Sequence, residues 1–115
     1  MQIQIRHDAT IPGDENLAAR VRATVEDSLE RFAHQITTVE VHLADENGPK
    51  HGGDEFRCSL EVRVEGRKPI AVTHKDTAFE LAVETAADKM ARMLEHQLGK
   101  LRDDHQPLNP DKAPS

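Results

Sequence analysis

The sequence predicts an α+β fold of order β-α-β-β-β-α, with four strands in one mixed sheet and two helices packed on one face. Three observations carry this expectation. Apolar residues alternate with polar ones along four short stretches, they recur every three or four residues along two longer ones, and Gly, Pro and Asn cluster at several of the joints. At 115 residues the chain has room for one core, and its 37% apolar content makes that core small and built from Val, Ile, Leu and Ala.

Ile3 and Ile5 alternate with Gln2, Gln4 and Arg6, the period of a half-buried first strand. After Pro12-Gly13-Asp14 the spacing lengthens. Leu17, Val21, Val25, Leu29 and Phe32 form one buried stripe of a first helix that runs to about His34. Val39, Val41 and Leu43 then mark a second strand, closed by the loop formers Asn47-Gly48-Pro49 and Gly52-Gly53. The clearest alternation is Phe56, Cys58, Leu60, Val62 and Val64 against Arg57, Ser59, Glu61 and Arg63, a third strand in which Cys58 is a small core residue. A tight connection, Glu65-Gly66-Arg67-Lys68-Pro69, leads to a fourth strand of Ile70 and Val72 that ends near His74. From Thr77 on, Phe79, Val83, Ala86, Met90, Leu94 and Leu101 return to helical spacing in a second and longest helix. A right-handed crossover makes the first strand parallel to the second. Residues 1–102 are thus expected to be a single domain, and 103–115, with three prolines and little apolar content, a disordered tail.

Charge and composition narrow the function. No apolar run approaches the roughly 18 residues that cross a bilayer, and the start of the sequence has no signal-like segment, so a cytoplasmic protein is expected. A net charge of −6 argues against indiscriminate nucleic-acid binding, because phosphate affinity comes from Lys and Arg; any RNA contact needs a local patch. One cysteine, Cys58, excludes an internal disulfide and a thiolate zinc site, and the seven histidines show no paired metal-ligand spacing. No Ser or Cys motif supplies an oriented nucleophile, so neither an enzyme nor a cofactor or metal is expected. Residues 52–56 spell Gly-Gly-Asp-Glu-Phe, the diguanylate cyclase signature. Its context fails: that family needs more elements upstream and a metal-binding Asp near its first strand, so a polar hairpin loop is the better account.

The element order, Glu15-Asn16-Leu17 opening the first helix, Asp45-Glu46-Asn47-Gly48-Pro49-Lys50 leading to Arg57-Cys58, Ala71-Val72-Thr73-His74, and Asp88-Lys89-Met90-Ala91-Arg92 together resemble the hibernation-promoting and ribosome-associated inhibitor family over about residues 1–102. The resemblance implies a fold like a double-stranded-RNA-binding domain with an added edge strand. It also implies binding to the small ribosomal subunit in the messenger and transfer-RNA channel, so that translation is blocked, and it points to the short class, without the extra C-terminal domain that dimerises ribosomes. Ribosomal RNA, alone or together with ribosomal proteins, would be the partner of a protein monomeric off the ribosome.

A basic surface must survive for that function. On a helix advancing roughly 100° per residue, Lys89, Arg92, His96 and Lys100 fall within about 80° of one another. Lys89, Arg92 and Lys100 match basic positions that members of the family use against ribosomal RNA, and His96 stands where some have Lys. The first helix departs from the family pattern, reading Thr24-Val25-Glu26-Asp27-Ser28 where Lys is usual. It leaves Arg20 and Arg31 as further contacts, with Asp27 expected to pair with Arg31 at the four-residue spacing. His74 is placed either to hydrogen-bond to the second helix or to face RNA. Two alternatives stay open: an alternating row of charges that only solubilises a helix, and the family fold used as a protein-binding module without the ribosome.

Overall fold

The computed structural model describes residues 1–7, 15–45 and 55–99, and the tail expected at 103–115 lies outside them. The expected order is found: β1 (Gln2–His7), α1 (Glu15–Leu29), β2 (Ile36–Asp45), β3 (Phe56–Val64), β4 (Ile70–Asp76) and α2 (Phe79–Leu94). The strands lie in the order β1-β2-β3-β4, with β1 parallel to β2 and the other neighbours antiparallel. A parallel pair needs a crossover, and α1 supplies it. Arg22 fastens the crossover by donating to the Ile3 carbonyl at 3.3 Å.

Both helices cover the face to which the apolar residues of the strands point. Val39, Val41, Leu43, Cys58, Leu60 and Val62 are at most 1% exposed, and they meet Val25 and Leu29 of α1 and Met90 and Leu94 of α2, all fully buried. Each large side chain removed from water in this way contributes on the order of 1.5–3 kcal/mol. Ala82, Ala86 and Ala87, also fully buried, keep the α2 surface thin enough for α2 to sit close to its neighbours. The other face of the sheet carries polar residues, joined there by contacts such as Ser59 to Thr73 at 3.2 Å across β3 and β4.

Three boundaries differ from the sequence expectation, each for a local reason. β2 begins at Ile36 rather than near Val39; Ile36 and Val39 are both buried although three residues apart, and a register shift between Ile36 and Thr38 absorbs the odd residue. Thr37 donates its hydroxyl to the Arg63 carbonyl at 3.1 Å beside that irregularity. α1 stops at Leu29 and tightens into a 3-10 turn, Glu30–Phe32, that brings Phe32 into the core. Instead of running unbroken toward residue 102, α2 ends at Leu94 and continues as one π-helical turn, Glu95–Gly99, with Leu98 packed against the core. Leu101 lies outside the described residues.

Candidate nucleic-acid interface

Charge on α2 is sorted by flank. At 100° per residue Glu80, Glu84, Asp88 and Glu95 fall on one side of the buried stripe, and Lys89, Arg92 and His96 on the other. Contacts fix which way each flank looks. Glu80 and Glu95 meet Arg20 at 3.3 Å and Arg31 at 3.1 Å, so the acidic flank faces α1. Lys89 reaches the opposite way, its Nζ lying 3.1 Å from Nδ1 of His74 on β4. Lys89, Arg92 and His96 are all exposed. His96 stands within the π turn, whose wider hydrogen bonding shifts it from the angle that an unbroken α-helix would give it. Lys100, the fourth member of the row, lies outside the described residues.

Lys89 is held by a short chain of polar contacts. One tautomer of His74 satisfies both ring contacts: the Lys89 ammonium donates to Nδ1, and Nε2–H donates to Oδ2 of Asp76 at 3.2 Å. The other Asp76 oxygen accepts the Thr77 backbone N–H at 2.8 Å. That backbone bond first, and the His74 bond second, hold the Asp76 carboxyl below its ordinary value. His74 and Asp76 continue the inward row of β4 beyond Val72 and remain only partly exposed, at 22% and 28%. Of the two placements open to His74, the structure takes the hydrogen bond to α2.

Arg92 is paired with Asp88 at 2.8 Å, one turn earlier on the same helix. Arg20 and Arg31 are likewise occupied, as clamps between the two helices, and the Arg31 guanidinium also lies 4.9 Å from the Phe32 ring centroid. The expected Asp27–Arg31 pair does not form. At the end of α1 the chain tightens into the 3-10 turn, and Arg31 turns to Glu95 of the neighbouring helix instead. All three ion pairs are well exposed, and such pairs contribute about 0–1 kcal/mol, so a phosphate can displace the carboxylate at small cost. Asp88 was legible from its i, i+4 spacing to Arg92. Asp76 was not: it keeps the period of two of β4, but once the row turns polar no apolar residue marks that side as inward.

The Gly-Gly-Asp-Glu-Phe string divides at the same boundary as the described residues, with Gly52, Gly53 and Asp54 outside them. Its last residue, Phe56, opens β3 and stacks on Phe79 at the start of α2, with ring centroids 4.1 Å apart and planes at 28°. The ring therefore serves packing between a strand and a helix. Cys58 is buried, and burial pushes its thiol up to about 12, as suits a core side chain rather than a nucleophile.

The family model described as Sigma 54 modulation protein / S30EA ribosomal protein matches residues 3–102. Among solved structures the chain is similar to a ribosomal subunit interface protein from Coxiella burnetii, with a TM-score of 0.65 and 14% identity over 86% of this chain and 99% of that one. It is also similar to the N-terminal domain of Protein Y from Thermus thermophilus, with a TM-score of 0.62 and 18% identity over 84% and 98% of the two chains. At such identities the likeness speaks for the fold alone. No curated protein sequence matches the chain.

Proposed function

Since the chain belongs to the sigma 54 modulation protein / S30EA ribosomal protein family, a family of ribosome-associated factors rather than enzymes, we propose that it is a hibernation factor that binds the small ribosomal subunit in the messenger and transfer-RNA channel and blocks translation. Its compartment would then be the cytoplasm, where its partner is. The observation that carries this reading is the sorting of charge on α2. In a chain of net charge −6, Lys89, Arg92 and His96 stand together on the flank turned away from α1 and its acids.

Phosphates of ribosomal RNA would lie along that flank, with Lys100 extending the row and Arg20 and Arg31 available once released from Glu80 and Glu95. Lys89 would act as a preset contact, because the bond to His74 limits the conformations its long side chain loses on binding. Arg92 offers a planar fork that can take two phosphate oxygens.

The test is co-sedimentation with ribosomes and with isolated small subunits near physiological salt, with a high-salt control. Saturable, salt-sensitive binding to the small subunit is expected. Replacing Lys89 and Arg92 by Ala should lower the slope of log affinity against log salt by about 1 for each phosphate left without its cation, and should not move the melting temperature much. A second reading rests on Glu26 and Asp27 of α1 and Glu30 of the 3-10 turn that follows it, all three exposed. Absence of ribosome binding across salt conditions would make the fold a protein-binding module presenting that acidic face.

A further inference from the structure

Where the β3–β4 turn approaches the C-terminal end of α2, the surface opens into a groove of about 440 Å³, lined by Arg67, Lys68, Pro69, Met93 and Gln97 among others. It is open to solvent, so a ligand there would be held by the groups that line it rather than by enclosure. The turn that forms one wall is tight: the Arg67 N–H bonds to the Val64 carbonyl at 3.1 Å, and Gly66 takes φ +77°, a left-handed value that favours glycine. Two cations are therefore presented from a constrained loop.

Their surroundings leave both cations without a carboxylate partner among the described residues. Arg20, Arg31, Arg63 and Arg92 each face a carboxylate, whereas neither Arg67 nor Lys68 enters an ion pair among the described residues. Glu65, in the same turn, is exposed and does not line the groove. An anion can thus settle on Arg67 and Lys68 without displacing a partner among the described residues. The same groove is lined by apolar groups as well, Pro69 and the thioether of Met93, which is 37% exposed. Met93 follows Lys89 by one turn, about 6 Å along α2, so the groove continues the flank that carries the basic row.

We propose that this groove seats a nucleotide of single-stranded ribosomal RNA, with a phosphate held by Arg67 and Lys68 and the unstacked base resting on Met93 and Pro69. The inference rests on the ribosome-binding reading and extends its contact surface from one helix to the β3–β4 turn. A free phosphate would use the cations but leave the apolar lining, Pro69 and Met93, without a partner. An RNA strand uses both, since every nucleotide brings a charge and an apolar face together.

Small-subunit affinity should be measured at several salt concentrations for the wild type, Arg67→Gln/Lys68→Gln, Met93→Gln, and Lys89→Gln/Arg92→Gln as the reference, with a thermal melt of each. The Arg67/Lys68 variant is expected to lower the salt slope by about 0.7, the loss of one single-strand phosphate contact. Met93→Gln should weaken binding with the slope unchanged, and Arg67→Lys/Lys68→Arg, which keeps both charges, should retain the slope. If the reference variant loses slope and the Arg67/Lys68 variant does not, the groove is overturned while the ribosome reading stands. Weaker binding of the Arg67/Lys68 variant at an unaltered slope would point to a protein neighbour and overturn the RNA assignment. Failure of the wild type to bind removes both readings.

Discussion

Replacing Asp88 by Asn should tighten binding to the small subunit, because the carboxylate that now occupies Arg92 competes with any phosphate that arrives there. The pair is close, at 2.8 Å, and exposed, at 76% for Arg92 and 61% for Asp88. A phosphate seated on the far side of the guanidinium lies roughly 7 Å from the carboxylate, and two like charges at that distance repel by about 0.6 kcal/mol in water-like surroundings. Salt screening trims this value, so a gain of about twofold to threefold in affinity is the expectation. An interface that expels water, with an effective dielectric near 20, would raise the repulsion toward about 2.4 kcal/mol. The substitution costs the helix little, since an exposed i, i+4 pair is worth about 0.3–0.5 kcal/mol. Titration of a labelled protein against small subunits reads the effect, with Arg92→Ala as the opposing control. Unchanged or weaker affinity of a normally folded Asp88→Asn protein would refute the idea that Arg92 meets phosphate on this flank.

The core and its thiol yield further expectations. Leu60 is 1% exposed and lies in register between Val41 of β2 and Val72 of β4, so Leu60→Ala should destabilise the protein by about 2–5 kcal/mol in a urea melt; a loss below about 1 kcal/mol would contradict the packing described. Cys58 should resist thiol reagents in the native protein and react at the rate of unfolding. Its folded value of about 12 lies above the ordinary 9.0, so the unfolded chain loses this proton first. Stability should therefore fall as pH rises from about 9 toward 12, by up to about 1.4 kcal/mol per pH unit, and Cys58→Ala should remove that contribution. At the acid end the sign reverses: Asp76, held below its ordinary value, contributes stability above pH 3.8 that is lost as pH falls through its lowered value, and Asp76→Asn should flatten that limb of a pH–stability curve.

The central elements were legible because each follows a single period. β3 alternates without a fault from Phe56 to Val64, and α1 repeats Leu17, Val21, Val25 and Leu29 at strict four-residue intervals. Legibility ended where a period changed. Ile36 and Val39 break the alternation of β2, and only the register shift reveals why both point inward. The π turn after Leu94 could not be read from a sequence in which helical spacing continues through Leu98 and Leu101. Within the site, the angular clustering of Lys89 and Arg92 followed from helix geometry, and the structure adds what those residues touch. Long side chains choose partners across elements, as Arg31 does with Glu95, and no local spacing encodes that choice. His74 and Asp76 carry no joint signal in the sequence for the same reason, being tied to Lys89 only by the docking of α2 on β4.

The opposed flanks of α2 bear on kinetics as well as affinity. A molecule of net charge −6 is repelled by a polyanion at long range, and that repulsion is damped beyond a Debye length of about 8 Å in physiological salt. Only at short range does the flank of Lys89 and Arg92 take over, and only if it leads; with α1 leading, Glu26, Asp27 and Glu30 meet the polyanion instead. Added salt should then hasten arrival while shortening residence, so the two rate constants rise together. Most electrostatically steered partners behave otherwise, losing on-rate as ionic strength increases. A factor built this way would come off ribosomes readily when conditions change, yet would not be kept from them by the salt of a crowded cell.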